Sequence, residues 1–301
     1  MRVFLTGATG YMGTAIAEAL LKAGHTVDGL ARSPEKAKQL EARGIHPVLG
    51  DLLKPETLAE SARSADGIIH TANTNDANAP RADRAATRTM LEALKGSGKP
   101  FVYSSGIWVL GSTGKRMADE QTPMNPPALV AHRFGLEREV LAYKDDGVRA
   151  IVIRPAAVYG RGGGLLNMLV DSARQSGAAR FVGNGENYWP FVDVDDLAQL
   201  YVLALEKAAA GSLYIGAHGP SYRMRDLAEA ASIGAGANGK VEAWAQEDAR
   251  KTLGTFADAL VLDQQASGEK AKRELGWTPR GRSVLDELKT GSYARRAAAG
   301  G

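Results

Sequence analysis

Cysteine is absent from the 301 residues. Disulfides, thiolate zinc sites and cysteine nucleophiles are therefore excluded. Aromatic residues are sparse, at 6%. The basic residues are scattered and do not interleave with aromatics, so no nucleic-acid partner is expected. No run approaches the ~20 apolar residues that cross a bilayer, and no membrane partner is expected. The first residues, Met1 to Gly7, read as a structural strand, leaving no room for a signal peptide. The expectation is a cytoplasmic protein. The five histidines, His25, His46, His70, His132 and His218, contain no i, i+4 pair, so no metal site is expected. No G-x-S-x-G elbow of a hydrolase occurs.

What is present is ordinary for a folded chain: 44% apolar residues, 24% charged residues and a net charge of +3. The length suits one large domain or two modest ones. The tail Ala297–Gly301 is expected to fray. Short apolar runs at Arg2–Thr6, Thr26–Leu30, His46–Leu49, Gly67–His70, Pro100–Ser105 and Arg149–Arg154 read as strands. Helical patterns between them cover Tyr11–Lys22, Pro34–Arg43, Pro55–Arg63, Ala79–Lys95 and Pro127–Tyr143. This alternation predicts an α/β fold with a doubly wound parallel sheet. After Tyr159 the rhythm changes at Gly160–Gly164, a flexible stretch. Helices over Leu165–Gln175 and Val194–Ala208, a strand at Ser212–Ile215 and an aromatic loop at Val182–Pro190 follow. They read as a smaller, mainly helical lobe interleaved with the last pieces of the main sheet.

The strongest motif is Thr6-Gly7-Ala8-Thr9-Gly10-Tyr11-Met12-Gly13, a G-x-x-G-x-x-G between a strand and a helix. Gly7 permits the turn, Gly10 lets the backbone approach a pyrophosphate, and Gly13 lets the helix pack against the strand. The helix N-terminus offers N–H groups and partial positive charge to phosphates. The second strand runs into Arg32-Ser33, where a cation suits a 2′-phosphate and an acid would suit a ribose 2′-hydroxyl. NADP(H) is therefore expected ahead of NAD(H). Asp28 lies too early, within the strand. Residues 1–159 form the expected dinucleotide-binding part, and residues 160–301 the substrate lobe with the end of the sheet.

Gly50-Asp51-Leu52, Ile68-Ile69-His70-Thr71-Ala72, Phe101-Val102-Tyr103-Ser104-Ser105 and Arg154-Pro155-Ala156-Ala157-Val158-Tyr159-Gly160 follow in order. So do Phe191–Ala198 and Leu275-Gly276-Trp277-Thr278-Pro279. Together with the glycine motif they resemble the extended short-chain dehydrogenase/reductases, the epimerase/dehydratase group, over nearly the whole chain. The resemblance implies a Rossmann-type fold. It also implies cofactor contacts from Gly7, Thr9, Gly10, Tyr11, Met12, Gly13, Arg32, Asp51, Leu52, Thr71, Ala72, Asn73, Arg133 and Pro155.

The catalytic positions depart from the family pattern. Taking Glu137 as the acidic residue that follows the usual Tyr-x-x-x-Lys, the tyrosine falls on Leu129 and the lysine on Arg133. The usual Ser or Thr falls on Gly106, just after Ser105, and the usual Asn on Asp83. This resembles the atypical members, which keep the nucleotide site and lose the tetrad. Leu129 transfers no proton, and arginine stays charged, which makes it a poor acid or base. Substitutes are His132, Tyr103 and Tyr159 at strand ends, Ser105, and Tyr188 with Trp189 in the aromatic loop. Each also has a plain packing role open to it. Ser105, Tyr188, Arg133 and Asp83 form the expected catalytic set. Asp193, Asp195 and Asp196 read as caps of the following helix.

The expected activity is that of an NADP(H)-dependent oxidoreductase or epimerase-like enzyme. Its substrate would be a small carbonyl or polar molecule, with hydride passing beside Thr71, Ser105 and Pro155. The rival expectation is a non-catalytic NADP(H)-binding sensor. The resemblance also implies a homodimer through Ala79–Lys95 and Pro127–Tyr143.

Overall fold

Strands with apolar residues on both faces need cover on both sides, and the computed structural model, described over residues 1–295, supplies it. The Ala297–Gly301 tail lies outside the described residues. Seven parallel strands form the main sheet: β1 (Arg2–Thr6), β2 (Thr26–Ala31), β3 (His46–Leu49), β4 (Gly67–His70), β5 (Pro100–Ser104), β6 (Arg149–Pro155) and β7 (Ser212–Gly216). Their spatial order is β7-β6-β5-β4-β1-β2-β3, which turns back at β1. Ligands of open α/β sheets bind at such a reversal, outside the carboxyl ends of the strands.

Helices α1 (Tyr11–Lys22), α2 (Pro34–Glu41), α3 (Ala59–Ser64), α4 (Ala79–Leu94) and α5 (His132–Ala142) belong to the first part of the chain. Alternation along β1 divides the core. Val3 and Leu5 pack with Ile16 and Leu20 of α1. Phe4 packs on the other face with Met90 and Leu91 of α4 and with Leu136 and Val140 of α5. The expected single helix over 127–143 is broken. Pro126 and Pro127 keep the chain extended (Pro127 φ −64°, ψ 160°), and a 3₁₀ turn, Ala128–Val130, precedes α5. The 55–63 stretch likewise opens as a 3₁₀ turn, Pro55–Leu58, before α3.

After Tyr159 come α6 (Asn167–Ser176), α7 (Val194–Lys207), α8 (Met224–Gly234), α9 (Gln246–Leu253), α10 (Phe256–Leu260), α11 (Glu269–Leu275) and α12 (Val284–Thr290). The segment divides its loyalties. β7 joins the edge of the main sheet beside β6, and α7 packs with α1 in the same apolar layer. α6, α8 and α12 enclose a second core containing Leu169, Phe181, Trp189, Leu227 and Leu288. Asp193 caps α7 by accepting from the N–H groups of Asp195 and Asp196, as the acidic run implies. Asp196 instead accepts from the backbone of Arg280 and Gly281, tying that segment to the start of α7. Among the described residues, no helix is long and apolar enough to cross a membrane.

Candidate active site

The turn from β1 into α1 is built around glycines. Gly7 has φ +78°, and a Cβ there would stand 2.7 Å from Thr71 Oγ1. A Cβ at Gly13 would stand 2.0 Å from the Gly7 carbonyl oxygen, so α1 is packed onto the turn as closely as backbone allows. Gly10 is the N-cap of α1 and offers no capping side chain. The first backbone donor to return to it is Thr14, at 2.9 Å. The N–H groups of Tyr11, Met12 and Gly13 meet no protein acceptor among the described residues. They sit where an anion would bind.

β2 ends at Ala31 and α2 starts at Pro34. Ser33 caps α2 by accepting from the Lys36 N–H at 3.3 Å. This short connection brings Arg32 and Lys36 to the same cavity as the glycine turn. Asp28 is buried within β2, held by Arg2 Nε (2.5 Å) and His46 Nδ1 (3.2 Å), away from that cavity.

The opposite end is made by the carboxyl ends of β5 and β6 with α5. Ser105 donates its hydroxyl to Glu137, and Arg154 reaches the same carboxylate through Nη2 at 2.6 Å. The Arg154 and Glu137 side chains are only 3% and 1% exposed. Glu137 lies one turn beyond Arg133 on α5, so this buried pair sets the helix face that turns Arg133 toward the cavity. A Cβ at Gly106 would be 3.4 Å from Arg133 Nη1. Arg133 Nε is buried and has no hydrogen-bond partner.

Beneath these residues lies a second buried carboxylate. The register places Thr6, His70 and Tyr103 side by side on β1, β4 and β5. Thr6 Oγ1 accepts from the N–H groups of Thr71 (3.2 Å) and Ala72 (3.3 Å). Its own proton therefore goes to His70 Nδ1, 2.6 Å away, which places the ring proton on Nε2. Nε2 in turn faces Asp83 Oδ1 at 3.2 Å. Tyr103 donates to Asp83 Oδ2 at 2.7 Å, and His132 Nε2 is 3.7 Å from the same oxygen. Burial pushes the Asp83 carboxyl up, but His132, His70 and the charge of Arg133 outweigh it and hold it well below the usual carboxylate range. Burial and the neighbouring Asp83 push the Tyr103 phenol well up.

The two ends open into one cavity of about 640 Å³. Of the expected cofactor residues, Gly7, Thr9, Gly10, Tyr11, Met12, Gly13, Arg32, Leu52, Thr71, Ala72, Asn73, Arg133 and Pro155 line it. Asp51 does not: its carboxylate turns back to accept from the Leu53 N–H at 2.9 Å. Of the expected catalytic set, Ser105 and Arg133 line it, whereas Asp83 and Tyr188 do not. Asp83 is sealed under the strand ends by His70 and Tyr103. Tyr188 is held on the lobe surface, where its backbone pairs with Arg223 and its N–H donates to Asp263. Trp189 is buried and donates to the Leu262 carbonyl. Tyr159 is committed to the Arg282 carbonyl. Sequence reasoning passed over Lys36 and Trp108, both of which line the cavity. A cation one helical turn after Arg32 was the available sign of the first. Nothing local marked the second.

Among the described lining residues there is no Asp or Glu, against three cations: Arg32, Lys36 and Arg133. The hydroxyls of Tyr11, Thr71 and Ser105 donate to Gly160 O, Thr6 O and Glu137 respectively. The site therefore combines a glycine-rich turn, cations at both ends and three hydroxyls, those of Tyr11, Thr71 and Ser105, already engaged by protein. An anionic dinucleotide fits the bare α1 N-terminus and the glycine-rich turn.

Comparison with known proteins agrees. Residues 3–216 match the model of the NAD dependent epimerase/dehydratase family. "Uncharacterized protein C2A9.02" of Schizosaccharomyces pombe is 34% identical over 97% of this chain and 100% of its own length. A 4-hydroxy-2-methyl-3-oxo-4-farnesyl-3,4-dihydroquinoline-1-oxide ketoreductase of Stigmatella aurantiaca is 29% identical over 75% of this chain and 71% of its own. The dTDP-glucose 4,6-dehydratase of Bacillus anthracis, solved with NAD, superposes with a TM-score of 0.82. It covers 100% of this chain and 98% of its own at 19% identity; that likeness bears on the fold. The chain belongs to the NAD dependent epimerase/dehydratase family and is an NAD(P)-dependent enzyme of the short-chain dehydrogenase/reductase type.

Proposed function

We propose that the protein is an NADP(H)-dependent oxidoreductase acting on a small carbonyl compound. The observation that carries this reading is the charge of the cavity: Arg32 and Lys36 stand together at the end of β2, and no carboxylate lines the wall among the described residues. A ribose 2′-phosphate suits two cations, whereas a bare 2′-hydroxyl would call for an acid there. In this reading Gly7, Gly10 and the first turn of α1 hold the pyrophosphate, Leu52 meets the adenine, and Thr71, Ala72 and Pro155 frame the nicotinamide end. When bound, the nicotinamide supplies a hydride to a substrate carbon or takes one from it. Thr6 fixes the backbone of Thr71 and Ala72, and the His70–Asp83–Tyr103 network fixes Thr6. Glu137 fixes Ser105 and α5. The companion proton is left to water, because Tyr11, Thr71 and Ser105 already donate within the protein.

Titration of the cofactor-free protein with NADPH and NADH, followed by tryptophan fluorescence, tests the reading. NADPH should bind well ahead of NADH. Arg32→Ala should weaken NADPH by about 10–100-fold and leave NADH unchanged. Equal affinity for both cofactors in the wild type would sink the assignment of Arg32 and Lys36.

NADPH consumption with a panel of ketones and aldehydes tests the reaction itself. A cytoplasmic setting and a homodimer through α4 and α5, where Phe134 is exposed, complete the proposal; light scattering tests the dimer.

A further inference from the structure

Among the described residues, Arg133 has no counter-ion in contact. Its Nε is buried and unpartnered, and an unmatched ion in such a place is costly. Both neighbouring carboxylates are taken. Asp83 is bound by His70 and Tyr103, with His132 facing it at 3.7 Å. Glu137 is bound by Ser105 and by Arg154 through two nitrogens. Gly106 has no side chain, so the guanidinium reaches over it to within 3.4 Å of where a Cβ would stand. The cavity that Arg133 lines also carries apolar residues, among them Ile107, Trp108 and Val109, which follow Gly106 directly in the chain, and Val130. A planar fork of donors on an apolar wall recognises a carboxylate carried by an apolar skeleton.

We propose that Arg133 anchors the carboxylate of an apolar substrate in the half of the cavity lined by Trp108. This rests on the NADP(H) reading, in which the cofactor's 2′-phosphate occupies Arg32 and Lys36 and leaves Arg133 to the substrate. A neutral sugar or polyol would leave the guanidinium unmatched and the apolar wall idle.

The test is calorimetric titration of the whole protein, with and without saturating NADPH, using 2-naphthoate and its uncharged counterpart 2-naphthamide. The wild type should bind 2-naphthoate and bind 2-naphthamide far more weakly. Arg133→Met should weaken 2-naphthoate by about 10–100-fold, and Arg133→Lys should recover part of the loss, because it restores charge without the fork. NADPH affinity should fall far less than 2-naphthoate affinity in both variants, since the phosphate contacts are untouched. Thermal melts check folding, and Arg133→Lys decides the question if Arg133→Met does not fold. Equal binding of the acid and the amide, unchanged 2-naphthoate binding in both variants, or no 2-naphthoate binding by the wild type overturns the anchor. Loss of NADPH binding in the variants also overturns it and makes Arg133 a cofactor contact. Arg133-dependent 2-naphthoate binding in a wild type that ignores NADPH would keep the anchor and remove the cofactor reading.

Discussion

The two ends of the cavity are built by opposite means. At the glycine end the binding surface is backbone: a turn with φ +78° at Gly7, a helix N-terminus without a capping side chain, and Gly13 packed against Gly7. At the Arg133 end the surface is side chain, and each group is set by another behind it. Arg154 and Ser105 hold Glu137, while Tyr103 and His70 hold Asp83. The first kind of site needs small residues at fixed spacing along one stretch of chain. The second needs residues from β4, β5, β6, α4 and α5 to arrive together. The glycine turn therefore does not depend on the residues at the Arg133 end.

Substitutions that strike one end and spare the other test this division. The largest effect is expected for Glu137→Gln. It leaves Arg154 buried without its partner, and a loss of about 3–5 kcal/mol in stability should appear in denaturant unfolding. Gly13→Ala comes next. Its methyl collides with the Gly7 carbonyl, so a loss of about 1–3 kcal/mol should accompany loss of NADPH binding in the fluorescence titration. If Gly13→Ala still binds NADPH normally, the backbone cradle is not the phosphate site.

Asp83→Asn probes the network behind the reacting end. Asp83 titrates below the usual carboxylate range because His132, His70 and Arg133 overcome its burial. Its contribution is therefore full above the unfolded carboxylate pKa of about 3.9 and is lost as pH falls toward the lower folded value. The variant should be about 1–3 kcal/mol less stable near neutrality. It should also lose less further stability than the wild type between about pH 4 and pH 2. An unchanged acid profile would remove Asp83 from the account of stability. The smallest effect belongs to Tyr188→Phe. Its ring is 39% exposed on the lobe and off the cavity, so stability should move by no more than about 0.5 kcal/mol and NADPH binding should hold. A loss of NADPH binding would bring the aromatic loop back into the site.

The legibility of the chain follows the same division. The seven strands, their parallel direction, the glycine turn and the place of Arg32 could be read locally, since each depends on apolar period, turn chemistry or neighbours a few residues apart. Ser105 and Arg133 were legible only through resemblance to a family pattern, which located them at the cavity without saying what held them. Asp83 and Tyr188 show the limit. A polar residue on α4 and an aromatic one in a loop carry no mark of which way they face. The packing of α4 under β4 and β5 sealed the first, and pairing with Arg223 drew the second to the surface. Glu137 served in the sequence as a register mark, but its work is to bind Ser105 and Arg154 across 32 and 17 residues of chain.

By itself, then, the sequence determined the parallel sheet and the glycine turn, because hydrophobic period and glycine spacing act over a few residues. Only the tertiary structure decided which hydroxyls are already engaged, which carboxylates are saturated and which cation is left open to a ligand. Those properties depend on whether a donor and an acceptor from distant segments come within about 3 Å of each other, and no spacing along the chain encodes that distance.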